Sequence, residues 1–327
     1  MKIDLLPHWT NKRLINVPEL CAKIISGMEK DGTVLLHTHE PQNPAHNGLY
    51  DVLDQLCRYY NWDKSKFCIA TANPTFTHPE YKTMSTKMIT FSGLDSIYPT
   101  YPWNREKSYG MFIARATSSR IAALVKHRSF KYKDQGLTSF NSVIRDSLND
   151  ISDYVLEFDQ LASSVENIQP YSDIDPISYK PIWQVGSLMT SANWSNVYRQ
   201  IGVEIVCETS VEPDCYGITE KTLRPIFYNR PFIIIGSKGY VNFLKENGIK
   251  TFDPIIPDDY DQHDGPYRIN RVFEILQGLI SNNKLEILHE ECQDIFNHNR
   301  RQIYKLKKEI GTSVPEYYRY IESIPGY

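Results

Sequence analysis

The densest chemistry in the chain lies in Glu208-Thr209-Ser210 and, six residues on, in Gly217-Ile218-Thr219-Glu220-Lys221-Thr222-Leu223-Arg224-Pro225-Ile226. These residues follow the apolar run Val203-Glu204-Ile205-Val206, as a strand giving way to a loop. Thr219 is well placed to cap a helix opening at Glu220 and Lys221. A helix start offers unpaired N–H groups and positive potential, which suit a diphosphate. Lys221 adds a full positive charge there, and Glu220 can accept hydrogen bonds from ribose hydroxyls. The same residues also read as an ordinary helix start, with Glu favoured by the dipole and Lys solvated.

Two further patches hold reactive side chains. Tyr109 to Ile121 reads as a strand, a short polar turn and a helix start, with Arg115 and Arg120 in the turn. Guanidinium groups at such a turn can grip phosphate in bidentate fashion, or simply face solvent. Leu36-His37-Thr38-His39-Glu40-Pro41 follows the first convincing strand, at the end where α/β sheets place ligands. His39, Glu40 and His37 are of the types that serve as general bases, and they are the candidates here for taking a proton from a hydroxyl. A polar loop without catalytic work fits them equally. With His46 nearby they could suggest a metal, but a further ligand at helical spacing is missing, so no metal site is assigned.

Other patterns carry less. Asp173-Ile174-Asp175 is a D-x-D triplet, a pattern that can hold a metal ion, but it lies in a Pro- and Ser-rich stretch. Asp258, Asp259, Asp261 and Asp264 read first as a solvated loop. Lys126-His127-Arg128-Ser129-Phe130-Lys131-Tyr132-Lys133 interleaves bases and aromatics as nucleic-acid surfaces do, and Arg300, Arg301, Lys305, Lys307 and Lys308 form a second basic run. Each alone reads as the wet end of a helix. The chain has no P-loop, no G-x-G-x-x-G and no G-x-S-x-G.

The elements that must position these residues are those of an α/β protein. Strand-length apolar runs recur at Thr33–Leu36, Phe67–Ala70, Met88–Phe91, Met111–Ala114, Val203–Val206 and Phe232–Ile235. Being apolar on both faces, with helical spacing between several of them, they predict parallel strands covered on both sides. Ile269, Val272, Phe273, Leu276, Leu279 and Ile280 form one helical stripe; Leu285, Leu288, Cys292, Ile295 and Phe296 form another. Pro-rich breaks at Tyr98–Arg105 and Glu166–Lys180 mark a lobe boundary and an insertion.

Composition narrows the class. At 327 residues, 41% hydrophobic and 23% charged, the chain supports a sizeable core in two lobes and is not a disordered protein. No apolar run approaches membrane-spanning length, so no membrane partner is expected. Six scattered cysteines without a C-x-x-C pair suggest neither a disulfide framework nor a zinc module. The first eight residues lack the apolar core of a signal peptide, so the expectation is a reduced, cytoplasmic protein. A net charge of −3 argues against coating a polyanion broadly.

Ile218-Thr219-Glu220-Lys221-Thr222-Leu223-Arg224-Pro225-Ile226, then the apolar run ending at Gly236, then Gly248-Ile249-Lys250-Thr251-Phe252, resemble the donor-binding segment of α1,3-fucosyltransferase-like glycosyltransferases, especially those of tailed phages and large viruses. Glu208-Thr209-Ser210, Asp258–Asp261 and Asn297-His298-Asn299 also look like that branch. The likeness covers roughly residues 106–300. It departs at Gly217, where the family has an aromatic residue and this chain has Tyr216 one position earlier, and in a turn reduced to two arginines.

The resemblance implies two Rossmann-like lobes in the GT-B arrangement: an acceptor lobe over 1–105, a donor lobe over 106–300 with an insertion at about 142–185, and a segment 301–327 returning to the first lobe. It implies a metal-independent glycosyltransferase with no cofactor beyond a nucleotide-sugar co-substrate, held by Arg115, Arg120, Glu208, Tyr216, Thr219, Glu220 and Lys221. The acceptor would be a glycan or small hydroxyl compound. The alternatives are a hydroxymethylated base in phage DNA, a non-catalytic nucleotide-binding or interaction module on the same fold, and a GT-A enzyme using Asp173 and Asp175 with Mn²⁺.

Overall fold

The computed structural model describes residues 1–5, 8, 14–38, 43–71, 73, 75–85, 102–113, 117–140, 171–172, 192–208 and 211–322. Two units emerge. The first comprises Met1–Ile89, Glu212–Gly217 and Lys305–Tyr327, and the second Thr90–Val211 and Ile218–Tyr304. Of the described residues, 102–105 group with the second unit and 212–217 with the first.

In the first unit, β1 (Lys2–Asp4), α1 (Val17–Asp31), β2 (Val34–His37), α2 (Leu49–Tyr60), β3 (Phe67–Thr71) and β4 (Lys82–Ser85) follow one another. The strands form a fully parallel sheet in the order β1-β2-β3-β4. Every residue of β2 and β3 is buried, as expected for strands apolar on both faces. Leu20, Ile24 and Met28 of α1 and Leu49, Leu53 and Cys57 of α2 pack with Val34, Leu36, Phe67 and Ile69. Leu35, Cys68 and Ala70 point to the other face, against Met84. Pro18 opens α1, and Gly32, at φ +64°, closes it in the left-handed region that favours glycine.

In the second unit the order is β5 (Lys107–Ile113), α3 (Ser118–Arg128), β6 (Gly136–Phe140), β7 (Tyr171–Ser172), α4 (Ala192–Gln200), β8 (Ile201–Cys207), α5 (Glu220–Phe227), β9 (Phe232–Ile235), α6 (Tyr240–Glu246), α7 (Gly265–Ser281), α8 (Lys284–Glu291) and the first part of α9 (Gln293–Glu322), which from Lys305 on belongs to the first unit. The sheet runs β7-β6-β5-β8-β9, parallel except for the edge strand β7. From β5 the chain moves to β6 on one side, whereas β8 lies on the other side of β5 and leads outward to β9. The strand order thus reverses between β5 and β8, and the carboxyl ends of those strands flank the crevice where open α/β sheets take ligands.

The fold is mixed α/β with two sheets of parallel strands. The expected strand at Met88–Phe91 lies outside the described residues. The stripe from Leu285 to Phe296 is two helices, α8 and α9, separated at Cys292. The acidic loop is not uniformly solvated. Asp261 is buried and accepts from the main-chain N–H groups of Val241 and Asn242, at 2.9 and 3.0 Å, and from the Arg268 guanidinium at 3.0 Å. It caps α6, whose preceding residue Gly239 supplies no side chain to do so. Asn299 on α9 exchanges hydrogen bonds of 2.8 Å with both the N–H and the carbonyl of Lys250, and His298 reaches the Gly248 carbonyl at 2.9 Å. These residues brace the turn after α6. Among the described residues no helix is long and apolar enough to cross a membrane, and all six cysteines are free.

Candidate functional site

Glu208 is the residue just past β8, still tied to the ladder by its N–H to the Ile235 carbonyl at 2.9 Å. Its side chain is buried. The hydroxyl of Thr219 lies 2.9 and 2.8 Å from the two carboxylate oxygens, Thr222 donates at 2.7 Å, and the Tyr240 phenol donates at 3.2 Å. One carboxylate therefore gathers the first turn of α5 and the start of α6 beneath the crevice. Burial, and then the neighbouring Glu208 charge, hold the Tyr240 phenol well above its usual range, so it stays a donor.

Thr219 caps α5 as expected: its oxygen accepts from the Lys221 N–H at 3.2 Å. Glu220 and Lys221 occupy the first turn, both half-buried. The Lys221 ammonium sits 2.6 Å from Glu220 Oε1, so its charge is paired rather than solvated alone. Burial alone would raise the Glu220 carboxyl, but Lys221, in charge and hydrogen bond, and then Arg224 outweigh it and pull the group down to about 2. Glu220 is thus an ionised acceptor across the whole working pH range.

Arg120 comes from the first turn of α3, on the other side of the switch point. It is buried rather than solvent-facing, and its Nε donates to the main-chain carbonyls of Cys207 and Glu208, each at 3.2 Å. This guanidinium stitches α3 to the end of β8. The start of α3 carries Thr117, Ser118 and Ser119 with no acidic residue in its first turn and, among the described residues, no side-chain cap, so its N–H groups could face an anion.

Beneath α5 lies a buried ion pair. Glu204 and Glu208 fall on the same face of β8 by two-residue alternation. Glu204 accepts from Arg224 Nη2 at 3.3 Å and from the Tyr198 phenol. Arg224 also lies over the Trp194 ring, 4.6 Å from its centroid. Burial raises the Glu204 carboxyl to about 7 despite the lowering by Arg224 and Tyr198.

The structure brings together Arg120, Glu208, Thr219, Glu220 and Lys221 of the expected donor residues. Tyr216 is half-buried and belongs to the first unit. Arg115 lies outside the described residues, as do His39, Glu40, Asp173 and Asp175. His37 is buried at the carboxyl end of β2, between β1 and β3. Sequence reasoning missed Thr222 and Tyr240 as partners of Glu208. Thr222 was available, three residues after Thr219 on one helix face. Tyr240 was not, because its approach depends on the β9–α6 turn. Among the described residues no group of three or more His, Cys, Asp or Glu side chains is placed to hold a metal ion. No family model matches the chain, and no curated protein matches it.

Proposed function

We propose that the protein is a glycosyltransferase of GT-B type, which transfers a sugar from a nucleotide-sugar donor to a hydroxyl acceptor. The observation that carries this reading is the pair of helix starts beside the β5–β8 switch point. The acid-free start of α3 and the Thr219-capped start of α5 flank one crevice, braced by Arg120 and Glu208.

Diphosphate would take the N–H groups of these helix starts and the Lys221 ammonium, and its developing charge would be stabilised there as the sugar leaves. The ionised Glu220 would accept from ribose hydroxyls. A base at the end of β2 or just after it, among His37, His39 and Glu40, would take the acceptor proton. The sheet order supports a Rossmann-like donor unit.

The test is a thermal-shift screen against GDP, UDP, ADP and CMP and their sugars, with and without Mn²⁺. A ligand at about a hundred times its Kd stabilises the native state by about 2.7 kcal/mol, a readily measured rise in Tm. The expected result is a rise with one nucleotide that is lost in Lys221→Ala. No rise with any of them, or an equal rise in Lys221→Ala, overturns the reading.

The commitment of Arg120 to main-chain carbonyls favours a second reading, a nucleotide-binding module without catalysis. Binding of a nucleotide-sugar without its turnover, with water or any offered acceptor, would select it.

A further inference from the structure

The second unit carries a cavity of about 560 Å³ at the amino end of its sheet, opposite the crevice. Four elements build it. Lys107 begins β5, His127 and Arg128 end α3, Lys133 and Asp134 lie in the turn before β6, and Gly136 begins β6. All of these positions lie at the amino ends of the strands, whereas Glu208 and the start of α5 lie at the carboxyl ends.

The cavity is lined by three full cations, Lys107, Arg128 and Lys133, against one carboxylate, Asp134, in a chain whose net charge is −3. The close of α3 accounts for Arg128, since cations complement a helix C-terminus. It does not account for Lys107 and Lys133, which come from other elements. The Lys107 ammonium donates to the main-chain carbonyl of Asp134 at 3.1 Å, not to the carboxylate. Among the described residues neither lysine is paired with an acid. Two neighbouring lysines without an acid partner cost energy that an anionic ligand would recover. The volume falls in the range of small-molecule sites, larger than one inorganic anion needs.

The chemistry favours a small ligand over nucleic acid. Stacking platforms need exposed rings. Phe130 of the same basic segment is buried, 5.2 Å from the Phe273 ring, and Tyr132 is covered by the Lys131 ammonium at 5.3 Å. The interleaved aromatics are therefore core and cover, not base-stacking surfaces. Lysine ammoniums act as point charges towards phosphate, and an arginine adds a fork.

We propose that this cavity binds a small ligand carrying two or more phosphate groups, at a site separate from the crevice at the other end of the sheet. Isothermal titration of the full chain with inorganic tripolyphosphate, at low ionic strength, tests it. Binding is expected to weaken by about tenfold or more in Lys107→Gln/Lys133→Gln and to stay unchanged in Lys30→Gln, at an exposed lysine of the first unit. Lys133→Glu alone, at an exposed position, should give a loss in the same direction even if the double variant is unstable. Absence of binding to the folded wild-type chain overturns the proposal. So does binding that is lost in Lys221→Ala yet indifferent to Lys107 and Lys133. Tighter binding of a short single-stranded oligonucleotide than of tripolyphosphate, lost in the same lysine variants, replaces it with a nucleic-acid surface.

Discussion

The hydroxyl of Thr219 lies 2.8 Å from one carboxylate oxygen of Glu208 and 2.9 Å from the other, while its oxygen accepts the Lys221 N–H. One side chain thus joins the end of β8 to the first turn of α5, and the position of Lys221 depends on it. Thr219→Ala should cost about 1–2 kcal/mol of unfolding free energy, as loss of a cap does. Glu208→Ala should cost more, about 2–3 kcal/mol, because Thr222 and Tyr240 lose their acceptor as well. Urea denaturation of the variants measures both. Wild-type stability in Glu208→Ala would mean that the carboxylate holds nothing together.

Arg120 offers a sharper test of the crevice. Its Nε bonds span the switch point, so Arg120→Lys keeps the charge and loses the paired carbonyl contacts. Stability should fall by about 1–3 kcal/mol, and any nucleotide-dependent rise in Tm should shrink with it. A variant as stable as wild type that loses nucleotide binding outright would instead mean that Arg120 reaches the ligand itself.

The sequence made the strands and the helix start at Thr219 legible because both are local. Strands that are mostly apolar on both faces must be covered on both, as β2, β3, β8 and β9 are. A threonine before Glu-Lys is a cap wherever it falls. What stayed hidden were the partners of charges. Nothing near Glu204 announces Arg224, twenty residues on, and nothing near Asp261 announces that it faces the start of α6. Lys221 read as a free cation because its neighbour's rotamer is a matter of packing. Arg120 read as a phosphate grip or a solvent-facing side chain for the same reason: the Cys207 carbonyl that holds it lies eighty-seven residues later.

The Glu204–Arg224 pair should be costly to break from one side. Both residues are buried, and Arg224 also covers the Trp194 ring. Arg224→Met should destabilise by about 3–5 kcal/mol by leaving a buried carboxyl without its cation. Glu204→Gln/Arg224→Met should recover part of that loss, because no charge is then buried unpaired. A double-mutant cycle in urea reads the coupling. Additive losses would mean that the two side chains are merely neighbours.

His289 sets an acid limit on the second unit. Its ring stacks on Trp103 at 5.1 Å, and its Nε2 meets the Gly202 carbonyl at 2.7 Å. Burial first, and then the nearby Arg230 guanidinium, lower its pKa to about 4, only partly offset by the carbonyl. The folded chain therefore keeps the ring neutral over a range where the unfolded chain takes up a proton. With a folded value below the unfolded one, the stabilisation is fully present above about pH 6.5 and is lost as the pH falls towards 4. The loss over that window should be on the order of 2–3 kcal/mol. His289→Gln cannot titrate, and its stability should be flatter between those two pH values. A wild-type stability profile parallel to that of His289→Gln would show that the imidazole is free to protonate in the folded chain.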